Sequence, residues 1–257
     1  SDPIANIALE AKEKRALRTK IKGLAPRGEE GEIISGECPL DLAHRVTFVG
    51  LGEETAITHG KLRDALRRVM RQATRNREYQ IGLAVSARVH GLSQAESRLF
   101  ALREASIADY TFDQFKSKKN EFDKIDGLHI LPLAKESEEQ LEEQLGSVRL
   151  LRTSVQLARD LANRPGNDLT PETLSTAARD MAEDLNGLRV TILGKKELLK
   201  EKMGGLLAVS QGSIEEPRMI VLEHRPKTPK RSVVLVGKGV TFDSGGISLK
   251  PPKGMGD

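Results

Sequence analysis

Aromatic side chains are scarce in this chain of 257 residues, which has no Trp, two Tyr and six Phe. Its core must therefore be built mainly from aliphatic residues. Cysteine is reduced to Cys38, which excludes an intramolecular disulfide framework and fits a reducing compartment; the thiol reads as a small packing residue. No apolar run approaches the roughly 18–20 residues of a membrane span. The opening SDPIANIALEAKEKR is too charged for a secretory signal. Neither charge sign dominates: 41 Lys and Arg face 37 Asp and Glu, and a net charge of +4 permits an acidic partner without demanding one. These absences lead to the expectation of a cytoplasmic globular protein with no membrane partner.

What is present is an alternation of helical and strand-like stretches. The pattern predicts a helix from Ile4 to about Lys20, a buried strand from His44 to Gly52, and a basic amphipathic helix from His59 to about Arg75. Leu62, Leu66, Val69 and Met70 form the apolar side of that last helix. A second apolar strand is expected over Tyr79 to Val85. A helix should begin at Ser93, where Glu96 completes a capping box, and Gly127 to Leu133 reads as another strand. From about Ser137 to Ala162 an apolar stripe of Val148, Leu151, Val155, Ala158 and Ala162 predicts the longest helix. It stops at Asn163-Arg164-Pro165-Gly166, a strong breaker.

After the break the rhythm restarts. Thr170 caps a helix with Pro171 in its first turn, running to about Leu185. Leu188 to Gly194, Met219 to His224 and Ser232 to Gly239 read as strands, and Lys195 to Lys202 as a short helix. Strands apolar on both faces suit sheets covered by helices, so the expectation is α/β throughout. The division expected is residues 1–136, a linking helix 137–165, and a second α/β unit from 166 to 257.

Chemistry concentrates in VGKGVTFDSGGISLKPPKGMGD, from Val236 onward. A strand would deliver Lys238 between two glycines, Asp243 follows, and a Ser-Gly-Gly turn precedes Lys250. A phosphate-binding loop is excluded, because Ser232 stands where it needs Gly and Gly239 where it needs Ser or Thr. A dinucleotide fingerprint fails because no helix start follows at the right distance. From residue types alone, a carboxylate and two lysines beside a Gly-rich turn can bind an anion, hold a metal, or form an ion pair.

The stretch from Val236 to Pro251 resembles the signature of the leucyl aminopeptidases, the M17 cytosol aminopeptidase family. Agreement extends upstream to Tyr110–Lys116, Asp160–Asn167, and Leu207–Ser213, the last resembling an early catalytic-domain strand and loop. The resemblance covers nearly the whole chain. It implies a macro-like N-terminal α/β domain joined by a helix to an incomplete α/β metallopeptidase domain, the chain being clipped at both ends. It implies removal of N-terminal residues, Leu among them, from peptide substrates with two divalent metal ions, Zn or Mn. Lys238 and Asp243 would be metal ligands, and Lys250 a catalytic lysine that does not bind metal. A lysine ligates only as the neutral amine, Asp offers a hard anionic oxygen, and a cationic Lys250 suits an oxyanion. The family's remaining acidic ligands lie beyond this motif, and Asp257 is not counted among them. With two ligands a dinuclear site cannot be filled, so the polypeptide as written is expected to be inactive alone. The family is typically hexameric, which is the expectation for a full-length parent.

Other features weigh less. His44, His59, His90, His129 and His224 show no metal-ligand spacing. Lys195-Lys196, Lys200 to Lys202 and the acidic run from Glu136 to Glu143 read as solvated helix surfaces. Arg63, Arg67, Arg68, Arg71, Arg75 and Arg77 raise the alternative of nucleic-acid binding, but no aromatic interleaving or recognised motif accompanies them. A macro-like domain elsewhere binds ADP-ribose, yet no residue here demands that ligand.

Overall fold

The computed structural model describes residues 7–41, 43–118, 125–133, 136–228, 231–245 and 247–253. It divides into two compact units, Ser1–Ala158 and Arg159–Asp257. In the first, α1 (Ala11–Leu24) leads to the antiparallel pair β1 (Ile33–Glu37) and β2 (Arg45–Val49). Helix α2 (His59–Arg75) and strand β3 (Gln80–Leu83) follow, then α3 (Gln94–Ala108), β4 (Gly127–Ile130) and α4 (Glu138–Asn163). Strands β3 and β4 run parallel in register Gln80↔Gly127 to Leu83↔Ile130. The second unit holds α5 (Pro171–Asp184), β5 (Leu188–Leu193), α6 (Lys195–Lys200), α7 (Gly204–Val209) and β6 (Met219–His224). There β5 and β6 pair antiparallel from Leu188↔His224 to Leu193↔Met219.

Local chemistry explains most boundaries. Thr58 accepts from the Lys61 N–H and starts α2; Ser93 and Glu96 form the capping box of α3; Thr170 caps α5 ahead of Pro171. The first helix starts later than the expected Ile4. Ile7 is instead extended, bridging to Leu133, while the Ala8 N–H donates to the Pro132 carbonyl, and a Glu10/Glu13 capping box then opens α1. The expected positions Ile4 to Asn6 lie outside the described residues.

An aliphatic core joins α2 to α3. Leu62, Leu66 and Met70 pack with Ile57, Val85, Val89, Ala101, Ala105 and Ile125. Burying side chains of the larger of these kinds contributes roughly 1.5–3 kcal/mol each. A smaller cluster holds Ile7, Leu17 and Leu40, with Cys38 packed against it as a partly buried free thiol.

Three expectations are corrected. Leu207 to Ser213 does not begin as a strand: Gly204–Val209 is helical, with the Leu207 N–H on the Met203 carbonyl, in keeping with the helix preference of Leu and Ala. Ser232 to Gly239 is not a buried strand. Residues 231–240 form no ladder and are all exposed, Val233, Val234, Leu235 and Val236 by 72%, 82%, 91% and 93%. A β conformation is held by its neighbour's hydrogen bonds, and no described strand lies beside this one. Of the α4 stripe, Val148 is buried, but Ala158 and Ala162 are exposed.

Within the acidic run from Glu136 to Glu143, Glu138, Glu139, Glu142 and Glu143 are exposed as expected, and Glu136 alone departs from the solvated reading. Glu136 is 7% exposed and ion-paired to Arg98, itself 1% exposed. The same carboxylate accepts from the Leu133 N–H at 3.3 Å and from Gln144 Nε2 at 3.0 Å. Burial pushes Glu136 up, but the hydrogen bonds and charge of Arg98, with Leu133 and Gln144, outweigh it and hold the group below its ordinary 4.5.

Two outcomes are expected. Arg98→Met should destabilise the protein by about 3–5 kcal/mol in urea unfolding, because it strands a buried carboxylate. The depressed pKa means the contribution of Glu136 is full above 4.5 and lost as pH falls through its lower folded value, so Glu136→Gln should flatten the acid limb of stability; an unchanged acid limb would contradict this. Separately, the bare Val233–Val236 run should drive self-association. Val234→Lys with Val236→Lys should shift sedimentation toward monomer, and indifference to both would refute that role.

Candidate functional site

The motif around Lys238 begins beside the turn that ends α4. Asp168 and Leu169 each donate a backbone N–H to the Pro165 carbonyl at 2.9 Å, and Arg164 pairs with Asp168. Gly166 sits so close to the next segment that a Cβ there would meet the Thr241 carbonyl oxygen at 3.0 Å and Phe242 Cβ at 3.1 Å. Gly239 lies near Leu174 of α5. The turn Pro165-Gly166 thus seats the start of the loop, and this explains why a residue without a side chain stands there.

Asp243 and Lys250 come together. Lys250 Nζ lies 3.6 Å from Asp243 Oδ2, with the side chains 36% and 51% exposed. Asp243 Oδ1 accepts the Gly245 N–H at 2.9 Å, and the Lys250 N–H donates to the Ser244 carbonyl at 2.8 Å. The Asp243 carboxyl is held below its ordinary value by the Gly245 N–H first and the Lys250 charge second, with Lys238 adding to the same field. Lys238 arrives on the exposed segment rather than on a strand, its carbonyl accepting the Val240 N–H at 2.9 Å. Gly246 and Asp257 lie outside the described residues.

The donor types suit a divalent ion: an ionised carboxylate oxygen and a lysine nitrogen. They supply two positions, fewer than one ion needs, and among the described residues no group of three or more His, Cys, Asp or Glu could hold a metal. The loop therefore fits part of a metal site in kind and does not complete one.

Other candidates fall elsewhere. An open cleft of about 480 Å³ lies among α5, β5 and α6, lined by Glu172, Arg179, Lys195, Glu216 and Arg218, and none of Lys238, Asp243 or Lys250 borders it. Four of its charges pair with one another: Glu172 meets Arg218 at 2.8 Å and Arg179 at 3.4 Å, and Arg218 meets Glu216 at 3.0 Å. On α2, Arg67 faces Glu104 at 3.9 Å, Arg63 faces Asp64 at 3.9 Å, and Arg68 donates to the Asp64 carbonyl. His59 stacks edge-on against Phe100 at 4.9 Å and His129 bonds Gln80 at 2.7 Å, both ordinary packing roles. Spacing alone did not reveal the close approach at Gly245; a glycine directly after an Asp-Ser pair was its only signal.

Residues 3–119 match the cytosol aminopeptidase family, N-terminal domain, and residues 156–257 the cytosol aminopeptidase family, catalytic domain. A probable cytosol aminopeptidase of Syntrophotalea carbinolica is 38% identical over 244 residues, covering 93% of this chain and 49% of that protein. One from Corynebacterium diphtheriae is 35% identical over 233 residues, covering 90% and 44%. Among solved structures, a tomato leucine aminopeptidase mutant aligns with TM-score 0.73 at 25% identity, over 93% of this chain and 50% of that one. The bottromycin maturation enzyme BotP in complex with Mn aligns with TM-score 0.72 at 28% identity, over 96% and 48%. The chain belongs to the cytosol aminopeptidase family, M17. It spans about half the length of the curated relatives it matches.

The loop geometry makes a direct expectation. The depressed Asp243 pKa means its bonds to Gly245 and Lys250 are intact above the ordinary 3.8 and lost as pH falls through the lower folded value. The Gly245 amide resonance should titrate with a midpoint below 3.8, and Asp243→Asn should abolish that titration. A midpoint at or above the ordinary value would contradict the geometry.

Proposed function

We propose that the chain forms the N-terminal domain and the first part of the catalytic domain of a metal-dependent aminopeptidase that releases N-terminal residues, Leu among them, from peptides. The observation that supports it most is the joining of Asp243 and Lys250 by the Gly245 turn, inside the segment matching the catalytic domain. The proposed division is residues 1–136 for the N-terminal domain, 137–165 for the linking helix and 166–257 for the catalytic part. Two divalent ions, Zn or Mn, a hexameric full-length parent and a cytoplasmic location belong to the same reading; a solved relative described in complex with Mn supports the choice of metal.

Lys238 and Asp243 are the proposed ligands. Asp243 presents an ionised oxygen because the Gly245 N–H and Lys250 both favour its charged form. Lys238 would donate through the lone pair of its amine nitrogen. When bound, divalent ions supply Lewis acidity toward a peptide carbonyl and a water. Lys250 keeps its charge and polarises that carbonyl, then stabilises the developing oxyanion; removing one such donor costs about 10²–10³ in kcat.

The test is a comparison of turnover and metal content in the full-length parent. Lys250→Ala should lower kcat by about 10²–10³ with bound metal retained, whereas Asp243→Ala should lose metal and activity together. Parallel loss of both in Lys250→Ala would make Lys250 a ligand or structural residue. The 257-residue chain alone should release no leucine from a leucyl peptide, because its two donors do not complete a site; metal-dependent release by it would overturn that part of the reading.

A further inference from the structure

Among the described residues of the loop from Asp243 to Lys250, Gly245 is where the backbone turns. Gly245 has φ +89°, in the left-handed region that side chains disfavour. Its N–H is the group that orients Asp243 Oδ1. A Cβ at this position would run far inside contact with the Ser248 carbonyl oxygen, and would meet Lys250 Cγ at 3.0 Å and the Lys250 backbone N at 3.1 Å. The returning strand of the loop, carrying Lys250, therefore lies against the face of residue 245 where a side chain would stand. The obstructing atoms include backbone, which cannot rotate away. The other described glycines of the motif, Gly237 and Gly239, differ. A Cβ at Gly237 would meet nothing within 4 Å, and one at Gly239 only Leu174 Cδ2 at 3.9 Å.

We infer that Gly245 is a positioning residue that holds the Asp243 carboxylate and the Lys250 side chain in one cluster through its N–H and its missing side chain. The inference rests on the reading of Asp243 as a metal ligand and deepens it. Gly245 acts through Asp243, which its N–H orients, and through Lys250, which packs against it. Outer groups that orient a ligand typically change metal affinity by about 10–100-fold when lost. Any side chain at 245 would push Ser248 and Lys250 outward, breaking the closure between the Lys250 N–H and the Ser244 carbonyl. Asparagine accepts a left-handed backbone better than alanine but still carries a Cβ. If space rather than backbone strain is the constraint, asparagine does not rescue.

The experiment titrates Mn²⁺ alone into the ¹⁵N-labelled chain and follows paramagnetic broadening of the backbone amides between Lys238 and Lys250. Wild type and Gly237→Ala should broaden around Asp243 at the same Mn²⁺ concentration. Gly245→Ala and Gly245→Asn should each need about tenfold more, while the β5 and β6 amides keep their positions and show the unit folded. Equal broadening in the Gly245 and Gly237 variants overturns the positioning role while leaving Asp243 as a ligand. Full rescue by asparagine also overturns it, assigning the effect to backbone strain. No broadening near Asp243 in the wild type at any Mn²⁺ concentration overturns the inference as well, because Asp243 and its turn then hold no ion on their own; the ligand reading itself is decided by Asp243→Ala in the full-length parent.

Discussion

Burying the guanidinium of Arg98 commits the first unit to a particular arrangement. A charge at 1% exposure is tolerable only beside a counter-charge, so Glu136 must reach it from the end of the β4 connection. That carboxylate then takes the Leu133 N–H and the Gln144 amide, which ties the chain after β4 and the second turn of α4 to α3. The same helix pair is laced further along by Arg103 with Ser147 and by Arg152 with Asp109 and the Ser106 carbonyl. Apolar packing between α2 and α3 supplies the non-directional stabilisation. The polar lacing sets where α4 lies, because each of those bonds has a fixed length and angle.

The second unit works at a smaller scale. Among the described residues its ladder joins β5 to β6, and α5 and α6 flank it through Glu172, Arg218 and the buried Leu198. The loop of interest is held by other contacts, with Leu174 of α5 near Gly239. It depends on the contact of Gly166 with Thr241 and Phe242 at its start, and on the Gly245 turn at its end. Two glycines thus mark close approaches at the segment that carries the chemistry, and at each the nearest atom to a Cβ is a backbone oxygen, of Thr241 and of Ser248. This is a site shaped by close approach of main chain, with exposed charges held by short-range hydrogen bonds.

Legibility in the sequence varied with the range of the forces involved. Helices α2, α3 and α5 were readable because Thr58, Ser93 and Thr170 act on amides three residues away. Strands β3 to β6 announced themselves by apolar runs between breakers. The strand β1 was not anticipated, since Ile33–Glu37 contains Ser and Gly and gains its form only by pairing with β2. The reverse failure came at Val233–Val236, whose composition favours a strand but which has no ladder partner among the described residues. Glu136 looked like one more solvated carboxylate because its partner is 38 residues away.

The sequence by itself determined family membership, the α/β class, the starts of α2, α3 and α5, and the identity of Lys238, Asp243 and Lys250 as the chemical candidates. Each depends on residue type and spacing along the chain. Only the tertiary structure decided that Arg98 and Glu136 are buried together, that Asp243 faces Lys250 across a closed loop, and that residue 245 has no room for a side chain. These depend on distances between atoms far apart in the chain, and local propensity carries no record of them.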